Sequence, residues 1–191
     1  MSMRFPAAII IALAASAAGA QDGSGLWATL RAGGHVALVR HAATAGGAGD
    51  PPGFRLEDCA TQRNLTDTGR ADARALGERF RAHGVAVDKV LSSEWCRCRD
   101  TAMLMDVGPI EIAPTFNNAF TLRDRVDALT DGGRAVISAW RGPGTLVVVT
   151  HGANIRPLTG VDPGEGGMMV VAPDSANTGG LRVLGRISPG Q

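Results

Sequence analysis

Short apolar runs rich in valine alternate along the chain with longer segments in which apolar residues recur every three or four positions. The runs at 34–39, 85–91 and 146–149 have the length and the β-branched content of buried strands. Two later runs, at 168–172 and 181–184, predict a hairpin or an edge pair. Because strands that alternate with helices favour parallel pairing, the pattern predicts an α/β domain with a largely parallel sheet.

Helical segments separate these strands. The predicted helices cover, in order, 66–83, the stretch from just after Ser93 to Met105, and part of 122–140. The first is expected to begin with Asp67 or Thr68 as its N-cap. The third is expected to be interrupted near Gly132 and Gly133, because glycine weakens a helix interior.

Length and composition restrict the class of protein. A chain of 191 residues, with 45% hydrophobic and 19% charged residues, fits one globular domain and neither a disordered chain nor a multi-span membrane protein. Basic and acidic residues nearly balance, 19 against 18, and no run of lysine or arginine occurs. Nucleic acid and anionic lipid are therefore not expected as partners.

The first twenty residues have the pattern of an export signal. One positive charge within 1–4 precedes an apolar run at 5–17, and 18–20 is a small-x-small cleavage site. We expect a signal peptide over 1–20 and a mature domain over 21–191, located in the periplasm or secreted. The alternative is an uncleaved membrane anchor, although the apolar run is short for a membrane span.

Three cysteines, Cys59, Cys96 and Cys98, lie in the part of the chain predicted to be exported. In an oxidising compartment they predict one disulfide and one free thiol. A zinc site is the competing interpretation, but Cys-x-Cys is not the usual spacing of zinc ligands. We therefore expect no metal.

Polar residues follow three of the predicted strands. Arg40 and His41 end the first strand, Arg97 lies in the opening turn of the helix after the second, and His151 follows the third. Ligands of parallel α/β sheets bind beyond the carboxyl ends of the strands, so these side chains are expected to meet there. Arginine forks bind phosphoryl oxygens bidentately and a neutral histidine attacks phosphorus, which together favour phosphoryl transfer. The loop at 45–52 is expected beside this site.

Each of these residues also has a purely structural interpretation. A single histidine at a strand end is often a hydrogen-bonded core or surface residue. Arg97 has two nearby candidates for an ion pair, Glu94 and Asp100.

Three segments resemble the signatures of the histidine phosphatase superfamily. Residues 38–44 (LVRHAAT) resemble its Arg-His-Gly motif, 92–102 (SSEWCRCRDTA) its Ser-Ser…Arg…Thr-Ala signature, and 148–152 (VVTHG) its second histidine motif. The resemblance implies a phosphoglycerate-mutase-like fold, a three-layer α/β sandwich in a single domain.

The resemblance also implies roles for individual residues. It makes His41 the nucleophile, Arg40 and Arg97 the phosphate-binding arginines, and His151 the second catalytic histidine. Thr44 matches a further position of the pocket and is expected to bind substrate.

A narrower resemblance links two segments to an exported branch of this family. Residues 59–66 and 95–98 resemble the branch that includes the enterobacterial lipopolysaccharide core heptose phosphatase. That resemblance implies a disulfide from Cys59 to Cys96 or Cys98, with Cys96 favoured, against the alternative of three free thiols. It also makes Arg63 and Asn64 candidate substrate-binding residues, although Arg63 has Glu57 and Asp58 as alternative partners.

The sequence departs from the family pattern in two ways. Ala42 replaces the motif glycine, which is tolerable unless the backbone there needs a positive φ. The segments 116–118 and 152–153, where many relatives carry the general acid, contain no acidic residue. The remaining candidates for the acid are Glu94, Glu111 and Glu165.

These observations predict an exported phosphatase that hydrolyses phosphate esters through a phosphohistidine on His41. Arginines supply the positive charge that Mg²⁺ supplies elsewhere, so no cofactor is expected. The expected substrate is a phosphorylated small molecule or lipopolysaccharide, with no membrane span after signal cleavage. The alternative is a catalytically degenerate phosphate-binding module of the envelope, which the absent acid favours.

Overall fold

A six-stranded sheet forms the centre of the molecule. The computed structural model describes residues 23–174, 176 and 180–190. Its strands are β1 (Val36–Arg40), β2 (Val87–Ser92), β3 (Ile110–Ile112), β4 (Thr145–Thr150), β5 (Met168–Pro173) and β6 (Leu181–Ile187), in the order β3-β2-β4-β1-β5-β6. The first four strands of that order are parallel, and β5 and β6 are antiparallel. The largely parallel sheet and the late hairpin are thereby confirmed.

Helices cover both faces of the sheet. The α-helices are α1 (Gly23–Ala32), α2 (Asp67–Ala82), α3 (Cys96–Met105), α4 (Val126–Ser138) and α5 (Gly152–Thr159). Along β4, Val147 and Val149 join the core beneath α1, α2 and α3, whereas Leu146 and Val148 join the core beneath α4 and α5. This alternation explains why the strand is apolar throughout, and it confirms the three-layer α/β sandwich.

Two predicted helix details are wrong. The N-cap of α2 is Thr66, whose Oγ1 accepts a hydrogen bond from the Gly69 N–H at 3.0 Å. Helix α4 continues without interruption through Gly132 and Gly133. A Cβ at Gly132 would lie 2.2 Å from Thr115 Oγ1, so glycine serves close packing there rather than a break.

A disulfide joins Cys59 to Cys96, and Cys98 is a buried free thiol. The favoured pairing is therefore present, and it attaches the loop before α2 to the first residue of α3. The predicted signal peptide at 1–20 lies outside the described residues. Within the part of the chain that the structure describes, every helix is too short or too polar to cross a membrane.

Candidate active site

The carboxyl ends of β1, β2 and β4 lie side by side and border a cavity of about 240 Å³. Arg40, His41, Arg97 and His151, the four residues expected to carry the chemistry, all line this cavity. Arg63, expected to bind substrate, lines it as well. The topology thus brings residues from distant parts of the chain to one edge of the sheet.

His41 is held as a neutral imidazole with a defined tautomer. Its Nδ1 lies 3.0 Å from the Ala42 carbonyl oxygen, which can only accept, so Nδ1 carries the proton and the lone pair is on Nε2. Burial lowers the pKa of His41 to about 3, and the nearby charges of Arg97 and Arg40 act in the same direction. His41 therefore presents an unprotonated nitrogen at neutral pH, as a nucleophile requires.

Ala42 itself is unstrained. Its N–H donates to Thr101 Oγ1 at 3.1 Å, and the only non-glycine residue with positive φ in the described part of the chain is Asp106. The replacement of the motif glycine therefore leaves the backbone of the first motif in an ordinary conformation.

His151 forms the second half of a histidine pair. Its ring meets that of His41 edge to face, with the centroids 5.4 Å apart. His151 Nε2 lies 3.0 Å from Ser93 Oγ, and Cys98 Sγ is 3.5 Å from the same nitrogen. Burial, together with the neighbouring His41 and arginines, holds the pKa of His151 well below its usual value. Both imidazoles are therefore neutral in the free protein.

Arg97 pairs with neither Glu94 nor Asp100, the two partners of the alternative structural interpretation. Its guanidinium forms a bidentate pair with Asp50, from Nη1 to Oδ1 at 2.7 Å and from Nη2 to Oδ2 at 3.3 Å. Each of the two side chains exposes only 1% of its surface. Asp100 pairs instead with Arg70 at 3.2 Å, and Glu94 accepts from the Asn117 amide.

The other two cavity arginines are held differently. Arg40 Nη1 donates to Asp162 Oδ2 at 2.8 Å, and Nη2 lies 3.6 Å from Glu165 Oε1. Arg63 Nη1 donates to the Gly47 carbonyl oxygen. Its alternative partners Glu57 and Asp58 are ion-paired with Arg55 instead.

The Nε atoms of all three cavity arginines are buried and have no hydrogen-bond partner among the described residues. Unsatisfied buried donors are rare, and three of them at one cavity indicate a site for an anion.

Thr44 and Asn64, also expected to bind substrate, are engaged with the protein. Thr44 Oγ1 donates to Glu165 Oε1 at 2.8 Å, and Asn64 Nδ2 donates to the Cys59 carbonyl at 2.6 Å. Their contact with substrate stays a prediction.

The three candidates for the general acid occupy different places. Glu165 lies beside Arg40 and Thr44, whereas Glu111 pairs with Lys89 at 2.8 Å and Glu94 borders a separate groove. Asp162, which was not among the candidates from the sequence, is the carboxylate that lines the cavity. Burial alone would raise the pKa of Asp162, but the Gly164 N–H and Arg40 hold it below its usual value.

Two acidic residues were missed because each lies in a turn-forming segment. Asp50 precedes two prolines in a glycine-rich loop, and Asp162 begins an Asp-Pro-Gly turn in which its Oδ1 accepts from the Gly164 N–H. Local sequence indicates a turn at both positions and nothing of a distant partner. One weak signal was available for Asp50, because this acid lies in the loop at 45–52 that was predicted to lie beside the arginine site.

Comparisons with known proteins agree with this geometry. Residues 36–121 match the family model of the histidine phosphatase superfamily, branch 1. No curated protein matches the sequence of the chain.

Several solved structures share the fold. A protein of Nakamurella multipartitia described as a phosphohistidine phosphatase, SixA, has a TM-score of 0.54 at 21% identity, over 82% of this chain and 96% of its own. The protein histidine phosphatase SixA in complex with tungstate has a TM-score of 0.52 at 20% identity, over 81% of this chain and 97% of its own. A mycobacterial glucosyl-3-phosphoglycerate phosphatase has a TM-score of 0.54 at 15% identity, over 78% of this chain and 95% of its own. At these identities the similarity is one of fold.

Proposed function

We propose that this chain is a member of the histidine phosphatase superfamily and an exported phosphatase that hydrolyses phosphate monoesters through a phosphohistidine on His41. One arrangement carries the proposal. The unprotonated Nε2 of His41 shares its cavity with three arginines whose Nε–H groups have no hydrogen-bond partner in the described part of the chain. A phosphoryl group supplies the acceptors that these donors need and the phosphorus that the histidine attacks.

The reaction proceeds in two balanced steps. In the first, the Nε2 lone pair of His41 forms a bond to phosphorus, the ester P–O bond breaks, and the leaving oxygen takes the electron pair of that bond and a proton from solvent. In the second, a water oxygen forms a bond to phosphorus, the P–N bond breaks, and its electron pair returns to Nε2 of His41. One proton of the water stays on the released phosphate and the other passes to solvent. The guanidinium groups of Arg40, Arg63 and Arg97 stabilise the charge on the phosphoryl oxygens in both steps.

The state of Asp162 favours substrates with good leaving groups. This carboxylate lines the cavity, and its lowered pKa keeps it ionised in the free protein at neutral pH. A proton for a poor alkoxide leaving group is therefore not ready in advance, and such a proton is typically worth about 10²- to 10⁴-fold in rate. An acyl phosphate or a phosphohistidine needs it less, so we propose that these react faster than simple alkyl phosphates.

The disulfide supports export. Disulfides persist in oxidising compartments, and Cys59–Cys96 joins the two segments that resemble the lipopolysaccharide core heptose phosphatase branch. Together with the predicted signal peptide at 1–20, this favours a periplasmic or secreted protein. Lipopolysaccharide phosphates are accordingly one substrate class that we propose.

Phosphate release from a panel of substrates tests the proposal. The panel contains an acyl phosphate, phosphohistidine, an aryl phosphate, a sugar phosphate and lipopolysaccharide. His41→Ala is expected to lower release by about 10³-fold or more, since the nucleophile is lost. His35→Ala is the matched control and is expected to retain activity, because His35 lies at the opposite end of β1.

A phosphate-binding module without turnover is the second candidate. Its support is that the carboxylates of Asp50 and Asp162 are both ion-paired with arginines. Release of no phosphate from any substrate, in protein that binds inorganic phosphate, would establish this candidate and exclude the phosphatase.

A further inference from the structure

Asp50 has a more extensive set of contacts than a structural ion pair needs. Its Oδ1 accepts from Arg97 Nη1 at 2.7 Å and from the Arg63 N–H at 3.0 Å. Its Oδ2 accepts from Arg97 Nη2 at 3.3 Å and from Trp95 Nε1 at 2.9 Å. Four donors therefore fix a carboxylate whose side chain is 1% exposed.

These contacts use one edge of the Arg97 guanidinium and leave another free. Asp50 accepts from the edge formed by Nη1 and Nη2, and Nη1 also donates to the Arg63 carbonyl at 3.3 Å. The Nε–H of Arg97 is buried and has no partner within the described residues. Because a guanidinium has five N–H donors in a planar fork, the edge formed by Nε and Nη2 can still bind two oxygens of one anion.

The same carboxylate fixes a wall of the cavity. We define residues 45–53 as the Asp50 loop; Gly47 and Gly49 of this loop line the cavity. Arg63 Nη1 donates to the Gly47 carbonyl, and the Arg63 N–H donates to Asp50. The Asp50 loop is therefore attached at two points to the cavity arginines.

We propose that Asp50 is a positioning residue for phosphoryl transfer. It holds Arg97 by one edge so that the Nε–Nη2 edge meets the phosphoryl oxygens. This inference rests on the proposed function, because it assigns Asp50 a part in the same reaction.

An alternative role, competition with the substrate for Arg97, does not fit the burial of the pair. Removing one charge of a buried pair leaves the other without compensation. The Arg97–Asp50 pair therefore does not open readily to exchange its carboxylate for a phosphate. Orientation remains the role consistent with the geometry.

Kinetics of Asp50→Asn test the proposal. The asparagine keeps the size of the side chain and removes the charge that holds both Nη atoms. We expect kcat to fall by about 10- to 100-fold, because misplacement of a positioning group by about 1 Å has effects of this size. KM is expected to change by less than about threefold. Asp100→Asn is the matched control, since it removes an ion pair to Arg70 outside the cavity, and it is expected to keep the kcat of the unmodified protein.

A double-mutant cycle separates positioning from a general structural effect. If Asp50 acts through Arg97, Asp50→Asn in an Arg97→Gln background will change the residual kcat by less than about twofold. An undiminished kcat for Asp50→Asn alone would overturn the proposal. The proposal would also be overturned if Asp50→Asn lowered kcat by the same factor in the unmodified protein and in the Arg97→Gln background.

A measurement without turnover keeps this inference distinct from the proposed function. In ¹⁵N–¹H NMR, the Arg97 Nε–H resonance is expected to shift when inorganic phosphate is added to the unmodified protein and to Asp100→Asn, and not to shift in Asp50→Asn. If no substrate is hydrolysed, the proposed function fails, and this shift alone decides the role of Asp50. The same shift in Asp50→Asn would refute it.

Discussion

Two arginine–carboxylate pairs border the cavity, and they are built differently. Arg97 and Asp50 form a bidentate pair, and each of the two side chains is 1% exposed. Arg40 and Asp162 share one hydrogen bond at 2.8 Å, and each side chain is 23% exposed. A buried pair keeps its geometry because separation leaves an uncompensated charge, whereas a partly exposed pair is solvated and exchanges partners at little cost. Arg97 is thus suited to fixed orientation, and Arg40 to exchanging Asp162 for the phosphoryl group of the proposed reaction.

Replacing each arginine in turn gives the largest expected contrast. Arg97→Gln leaves the Asp50 carboxylate buried without its counter-charge and is expected to destabilise the fold by about 3–5 kcal/mol. Arg40→Gln leaves Asp162 in partial contact with water and is expected to cost about 1 kcal/mol or less. Urea unfolding of the two variants measures both values. Equal destabilisation would show that the two pairs do not differ in the way their burial indicates.

Loss of the disulfide, which lies next to the buried Arg97–Asp50 pair in the sequence, is expected to have the next largest effect on stability. Cys96 directly precedes Arg97, and its bridge to Cys59 spans 37 residues of sequence. Removing a constraint of that length costs about 2–4 kcal/mol in the chain-entropy model. A reductant is therefore expected to lower the urea midpoint of the unmodified protein and to leave that of Cys59→Ser/Cys96→Ser unchanged. A midpoint insensitive to reductant in the unmodified protein would contradict this prediction.

The dependence of stability on pH distinguishes the two cavity histidines from the carboxylates of the two pairs. The unfolded state binds protons on His41 and His151 below about pH 6.5, but the folded state does not, since both pKa values are lowered. Stability is therefore expected to fall as the pH decreases from 6.5 to 4.5, by up to about 1.4 kcal/mol per pH unit for each histidine. Asp50 and Asp162 have lowered pKa values, and their contribution is lost only below about pH 4.

Urea unfolding at pH 4.5, 5.5 and 6.5 measures this slope. His41→Asn is expected to reduce it, and His35→Asn serves as the control because His35 lies outside the cavity. A slope unchanged by His41→Asn would mean that His41 is protonated in the folded protein.

The sequence predicted the parts of the site that local pattern determines. The strands before His41 and His151 are apolar and β-branched, so their carboxyl ends, and the residues there, could be located. The resemblance to the family motifs then predicted roles for these residues, which stay predictions. Asp50 and Asp162 could not be found in this way, because their arginine partners lie 47 and 122 positions away in the sequence.

The helix errors have a related cause. Gly132 and Gly133 resemble a helix break in local sequence, whereas the structure uses them for close contact with Thr115 and Phe116. Propensity describes an isolated segment, and tertiary packing decides the outcome. In both cases the missing information was the identity of a distant neighbour.

Direct detection of a phosphorylated His41 tests the central claim. The protein is mixed with an acyl phosphate, quenched in alkali within the first turnover to preserve the P–N bond, digested and analysed by mass spectrometry. A phosphate adduct on the peptide that contains His41, formed and lost at rates compatible with turnover and absent from His41→Ala, is the expected result. Phosphate release without such an adduct, or an adduct on another residue, would contradict His41 as the nucleophile.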